Sequence, residues 1–229
     1  MGWGLWSPVS GISAGRNSSV TAMPLIDDQQ ALFVVSSSGE LFSTFGNHVQ
    51  GWAPWTSISE GTGGPGTRLA AVPIGGGRFT LFTADPGGGV FTATGSPING
   101  WGSGWTTVSE GAAGPGTSVT AVRLDNGEIG VFLADPGGGV FATSGNGTRW
   151  DPWGPVPRLV AAIGSTIAAV ALRGGRAALF AVDPRGGVFN TSASPKRGDW
   201  GQWLSVKEGH AGPGTSVTAV SPDREHVAP

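Results

Sequence analysis

All ten tryptophans of the chain fall in five pairs: Trp3 and Trp6, Trp52 and Trp55, Trp101 and Trp105, Trp150 and Trp153, Trp200 and Trp203. The first members stand 49, 49, 49 and 50 residues apart. Eight of the ten phenylalanines keep the same beat, as pairs nine residues apart: Phe33/Phe42, Phe82/Phe91, Phe132/Phe141 and Phe180/Phe189. Two longer segments follow it as well. DPGGGVF occupies Asp85–Phe91 and Asp135–Phe141, with DPRGGVF at Asp183–Phe189, and EGxxGPGT occurs at Glu60–Thr67, Glu110–Thr117 and Glu208–Thr215. Markers sharing one register of about 49 residues define a repeat, in which each unit buries its apolar faces against its neighbours.

The unit that begins at Ser118 shows what repeats. SVTAVRL (Ser118–Leu124) reads as strand A, IGVFLA (Ile129–Ala134) as strand B, VFATS (Val140–Ser144) as strand C, and WDPWGPV (Trp150–Val156) as strand D. The intervening Asp-Asn-Gly and Asp-Pro-Gly are turn signals, because glycine accepts positive φ and proline presets the first turn residue. No segment carries a helical period. With 42 Gly, 17 Pro and 12% charged residues in 229, against a usual ~7% Gly and ~25% charged, the chain suits many short strands and tight turns.

Strands A and B are apolar on both faces, as in Ile167–Leu172 and Ala177–Val182. A sheet covered on both sides and repeated at this period describes a blade of a β-propeller; the turns of a β-helix are shorter and lack the hairpins. The small residues of strand A suit the axis, where blades converge, and Phe and Trp suit the widening outer wedge. The expectation is an all-β propeller of four-stranded antiparallel blades forming a single domain over 1–229. Its units cover about 11–58, 59–108, 109–156 and 157–206, and a partial fifth covers 207–229, with strand D supplied by 2–10. A fragment of a larger ring is the alternative. The open edge of the incomplete blade is expected to pair with a second copy.

A net charge of −2 gives no reason to expect nucleic acid or an anionic surface as partner. No Cys is present, which removes disulfide and thiol chemistry and leaves the compartment open. No apolar run approaches a membrane span, and Met1 leads into GWGLWSPVS without a basic-then-apolar leader, so a soluble protein without membrane insertion is expected. His48, His210 and His226 occupy unrelated positions and offer no metal-ligand spacing; neither metal nor cofactor is expected.

In an up-and-down sheet the B–C turn and the D–A loop share one face of the disc. These two loops barely vary among the units, whereas the A–B and C–D connections do. Loops ordinarily drift faster than cores, so a binding face is one reading and demanding turn geometry the other. The Trp pairs carry the same two readings. Residues i and i+3 of a strand point to opposite sides, so one Trp of each pair would seal one blade gap and the other the next. Trp also offers a flat apolar face and an N–H donor, which suit a sugar ring, and ten Trp with no Tyr is a skewed usage for a core alone.

The pattern W-x-x-W-x-x-V-x-x-G, then VTAV, then LF-x-x-D-x-x-GGVF resembles the blades of bacterial propeller lectins of the Photorhabdus fucose-binding type. It is similar, more loosely, to the tachylectin-2 and tectonin propellers. The resemblance covers essentially the whole chain. It implies shallow sugar sites between adjacent blades, formed by Trp, acidic or amide side chains and backbone groups. By position it implicates Trp55, Trp105, Trp153 and Trp203, with Glu60, Glu110 and Glu208, and Asp85, Asp135 and Asp183. The partners it implies are glycans ending in fucose or a similar monosaccharide. The loop after Trp153, PRLVAAIGST, departs from the pattern, and the gap it feeds is expected to stay empty; the first unit's turn, SSSGE, lacks the Asp.

A glycosidase needs two carboxylates at one site, and here the carboxylates recur with the repeat and none stands out. Neither a phosphate loop nor a nucleophile elbow occurs. The function expected is multivalent, non-catalytic carbohydrate binding; a protein-interaction propeller is the alternative, and a sialidase-like glycosidase a remote one.

Overall fold

In a computed structural model, residues 9, 11, 12, 14, 19–64, 67–102, 104–114, 117–212 and 215–220 are described. They form four antiparallel sheets and, among the described residues, no helix. The first sheet holds β1 (Thr21–Pro24), β2 (Gln30–Val35), β3 (Glu40–Asn47), the short β4 (Gly51–Trp52) and β5 (Thr56–Thr62). The second holds β6 (Ala70–Gly75), β7 (Arg78–Ala84), β8 (Gly89–Ser96), β9 (Gly100–Trp101) and β10 (Thr106–Ala112). The third holds β11 (Val119–Arg123), β12 (Ile129–Ala134), β13 (Gly139–Gly145) and β14 (Gly154–Val160). The fourth holds β15 (Ala168–Leu172), β16 (Arg176–Val182), β17 (Gly187–Ala193) and β18 (Leu204–His210). Each is a blade of a propeller, with strands A to D paired in chain order from the axis outwards.

The inner strands converge on a cavity of about 310 Å³ lined by Thr21, Ala70, Thr120, Ala168 and Thr218 among others. Small side chains there let the blades meet. Thr21 Oγ1 donates to the Leu69 carbonyl at 2.6 Å, and Thr120 Oγ1 to the Ile167 carbonyl at 2.5 Å, so each hydroxyl is spent on the neighbouring blade. Residues 217–219 also line this cavity, at the place of a fifth inner strand. Trp3 and Trp6, and the chain beyond 220, lie outside the described residues.

Between blades the strands alternate large side chains to both sides. Phe33, Ile58, Phe79 and Leu81 close the gap between the first and second blades. Phe82, Val108, Ile129 and Val131 close the second gap, and Phe132, Val156, Ile167 and Leu179 the third. Burial on both faces is why strand B shows no polar alternation.

Strand D begins later than its sequence suggests. The first Trp of three pairs sits in a two-residue strand or a single bridge against the end of strand C (Gly46↔Trp52, Gly95↔Trp101, Gly145↔Trp150), and the chain then leaves the ladder. Strand D proper starts after the second Trp, at Thr56, Thr106, Gly154 and Leu204. It runs through the glutamates that the sequence places in the loop. The cause is a hydrogen bond that pins the residue after the first Trp: Thr44, Thr143 and Thr191 donate to the carbonyls of Ala53, Asp151 and Gly201 at 2.6, 2.7 and 3.3 Å.

Candidate functional site

That break reverses the expectation for the tryptophans. Off the ladder, the rule that i and i+3 face opposite ways has no force, and both members of a pair turn to the preceding blade. The first packs edge-on against its strand B phenylalanine: Trp101 on Phe33 (6.2 Å, 71°), Trp150 on Phe82 (5.6 Å, 85°) and Trp200 on Phe132 (6.3 Å, 82°). The second lies half-buried over the preceding blade's outer strand. Trp153 Nε1 donates to the Val108 carbonyl at 3.1 Å, and Trp203 Nε1 to the Pro157 carbonyl at 3.0 Å. Trp105 covers Gly61, where any Cβ would run into its indole, and its Nε1 has no partner among the described residues. Trp55 comes within van der Waals reach of Gly11.

What the second Trp covers is a bulge. Between Phe42↔Ser57 and Glu40↔Thr62, five residue steps of the outer strand answer two of strand C. The same count holds between Phe91↔Thr107 and Gly89↔Ala112, and between Phe189↔Ser205 and Gly187↔His210. In the third blade four steps answer one, between Val140↔Val156 and Gly139↔Val160. Residues inside a bulge have no ladder partner, so their peptide groups are free to face outwards. Three of them carry positive φ on a side-chain-bearing residue: Ser109 at 54°, Arg158 at 75° and Glu208 at 60°. Conformations of this kind cost free energy and persist where the surroundings impose them.

The expected glutamates stand on these bulges. Glu110 and Glu208 are exposed; the side chain of Glu60 lies outside the described part of the structure. The second Trp of the following blade thus meets the strand that carries each glutamate: Trp105 lies over Gly61, next in the chain to Glu60, and Trp153 bonds Val108, two residues before Glu110. Trp203 bonds Pro157, next in the chain to Arg158. The third blade's loop keeps the bulge and the turn of its siblings, with Ser165 Oγ donating to the Ala162 carbonyl at 2.7 Å where Thr67 Oγ1 donates to that of Gly64 at 2.7 Å. Sequence reasoning missed Arg158. A fixed offset of five residues from the second Trp (Trp55 to Glu60, Trp105 to Glu110, Trp153 to Arg158, Trp203 to Glu208) is the signal that finds it.

The aspartates are placed differently. Oδ1 of Asp85, Asp135 and Asp183 accepts from the N–H of Gly89, Gly139 and Gly187, each at 2.7 Å, closing the B–C turn from within. In the first blade Ser36 Oγ does the same work, accepting from Glu40 N at 3.1 Å, which accounts for the missing Asp. The turn then docks on the end of strand D, where Gly39, Gly138 and Gly186 accept from Gly63, Ala161 and Ala211, each at 2.8 Å. Gly88, at φ 87°, would place a Cβ 2.5 Å from Gly114 N. The two unvarying loops thus hold each other by backbone contact, and that contact alone requires much of their shared sequence.

The arrangement at each of three successive gaps is one half-exposed indole over an unladdered loop of backbone. It can stack an apolar ring face and bond hydroxyls along one edge. Among the described residues no cluster of His, Asp and Glu could hold a metal ion.

No family model matches the chain, and no curated protein does. Solved structures do. The BP39L lectin of Burkholderia pseudomallei superposes with a TM-score of 0.72 at 23% identity, over 88% of this chain and 59% of that one. SapL1 lectin, solved with α-methyl fucoside, gives 0.61 at 16%, over 88% and 65%. The six-bladed fucose-recognising lectin of the fungus Aleuria aurantia gives 0.64 at 15%, over 90% and 68%. The likeness is one of fold, and the chain spans about three-fifths of BP39L.

Proposed function

We propose that this chain is a multivalent, non-catalytic carbohydrate-binding protein whose sites are the blade gaps. In each, the second Trp of one blade stacks on a sugar ring, while the bulge of the preceding blade offers backbone groups and Glu60 or Glu110 to its hydroxyls. The observation that carries this reading is the repetition of one arrangement, an indole over an unladdered bulge, at three successive gaps. Strain retained at Arg158 and Glu208 supports a role for the bulge beyond packing. The propellers that share the fold include lectins solved with fucosides, and we take fucose or a similar neutral monosaccharide as the ligand. The aspartates belong to the turn and have no part in the site.

Shallow sites of this kind are expected to bind with about millimolar affinity, close to −4 kcal/mol. Calorimetry with α-methyl fucoside, alongside methyl galactoside and N-acetylglucosamine, should show saturable heat, and intrinsic Trp fluorescence should shift with it. Trp153→Ala should remove one site from the stoichiometry. Absence of heat for every sugar at tens of millimolar would sink the reading. Heat with unmoved fluorescence would take the tryptophans out of the site.

A further inference from the structure

On the face formed by the A–B turns, the third and fourth blades are joined by a carboxylate. Both oxygens of Asp125, in the turn between β11 and β12, accept from the next blade's A–B turn: Gly174 N at 2.7 Å and Gly175 N at 2.6 Å. The two glycines have φ of 74° and 66°. Successive N–H groups in this conformation converge on one point and make a small anion-binding concavity.

The second blade's A–B turn carries a similar glycine pair without the carboxylate, in a tighter turn where Gly75, at φ 92°, pairs with Arg78. Gly76 and Gly77 have φ of 61° and 68°. They stand as far before strand B as Gly174 and Gly175 do, since Pro73 pairs with Phe79 where Ala171 pairs with Ala177. The preceding blade's turn also matches: Leu25 N bonds Gln29 O at 2.8 Å, and Leu124 N bonds Glu128 O at 2.8 Å. That equivalence places Ile26 where Asp125 stands. Ile26 is 62% exposed, its Cδ1 lies 3.9 Å from the position a Gly77 Cβ would take, and its side chain has no acceptor. The N–H groups of Gly76 and Gly77 have no acceptor among the described residues. From the other side comes a cation. Arg123, at the end of β11, reaches across to the second blade, with Nη1 3.4 Å from the Pro73 carbonyl and 3.6 Å from the place of a Gly75 Cβ. It has no carboxylate partner among the described residues.

We infer that the Gly75–Gly77 turn is a binding site for an external organic carboxylate. Gly76 and Gly77 donate their N–H groups to its two oxygens, Arg123 supplies the opposing charge, and Ile26 forms an apolar wall beside the body that carries the carboxylate. The site is separate from the blade-gap sites and does not depend on them. A free small acid and an acidic sugar present the same group, and the experiment separates them.

The experiment is an amide-proton NMR titration of the full chain with acetate, with glucuronate and with methyl glucuronate ester, against sodium chloride at matched ionic strength. Saturable shifts at Gly76 and Gly77 are expected with acetate and glucuronate and none with the ester. Tighter binding of glucuronate than acetate identifies an acidic sugar as the source, and equal binding a small acid. Arg123→Gln should weaken binding about tenfold, the loss of one charge-assisted contact. Ile26→Asp should fill the concavity from within. It abolishes the titration and moves the Gly76 and Gly77 amides towards the positions of Gly174 and Gly175. Shifts reproduced by chloride, shifts equal for the ester, or Gly76 and Gly77 amides unmoved in a folded Ile26→Asp variant would each overturn the assignment. The Arg123→Gln titration decides alone if Ile26→Asp does not fold.

Discussion

Asp135 shows how a repeated acidic residue is explained without a ligand. Its carboxylate accepts from Gly139 N at 2.7 Å while its own N–H and carbonyl close the same turn. A bond from a backbone N–H to a charged acceptor contributes about 1.5–3 kcal/mol net. Asp135→Ala is expected to lower stability by about that amount, read by chemical denaturation, and to leave sugar affinity unchanged. A variant of unaltered stability that had lost a binding site would return the carboxylate to the ligand. Arg158 is the opposite case, since its backbone is strained and its side chain satisfies no turn. It also stands where two sibling gaps carry glutamate, so the gap it shares with Trp203 differs in charge from the others. That difference fits the expectation that this gap does not take the same neutral sugar.

At the scale of the element, the outer strand is where every blade departs from a regular ladder. A non-glycine residue at φ 75° costs roughly 1–2 kcal/mol relative to its ordinary conformation. Arg158→Gly is therefore expected to raise stability by about 1 kcal/mol, less whatever glycine adds to the entropy of the unfolded chain. A drop instead would mean that the Arg158 side chain holds the bulge together. The A–B turns give a second prediction. Hydrogen bonds from Gly175 and Gly174 hold the Asp125 carboxyl below its ordinary value. A carboxylate depressed in the folded state stabilises fully above its unfolded pKa, about 4, and that contribution is lost as pH falls through the folded value. Thermal melts of the protein and of Asp125→Asn should differ at pH 7 and converge below about pH 4. A difference independent of pH would show that ionisation of Asp125 is not coupled to folding. On the same face Lys196 and Glu128 pair at 2.9 Å; this pair is exposed on the lysine side and screened by salt.

For the whole molecule, the quasi-repeating gaps matter more than any one of them. Each inter-blade cluster joins neighbouring sheets, so the blades present similar gaps at fixed spacing around an axis. Binding to a surface dense in fucose should exceed that to free α-methyl fucoside by a factor on the order of 10². Replacing Trp105 and then Trp153 by Leu should lower the surface affinity in steps while the free-sugar affinity of the remaining sites stays constant. Surface binding no stronger than free binding would argue for a single competent gap.

The period of Trp and Phe, the Asp-Pro-Gly turns and the two-faced apolar strands determined the blade, its strand order and its small-residue axis, because these depend on local turn chemistry and on alternation along one strand. The direction of the Trp pairs did not follow from the same reasoning. Trp150 and Trp153 look three apart on a strand, yet the carbonyl of Asp151 is held by Thr143 at 2.7 Å, and the chain leaves the ladder between them. Nor was the neighbour of each glutamate legible. Glu110 is five residues from Trp105 in the chain, but the indole bonded to its strand, at Val108, is that of Trp153, delivered across a blade gap. Which side chains share a gap is set by how one twisted sheet stacks on the next, and that is a property of the packed tertiary structure.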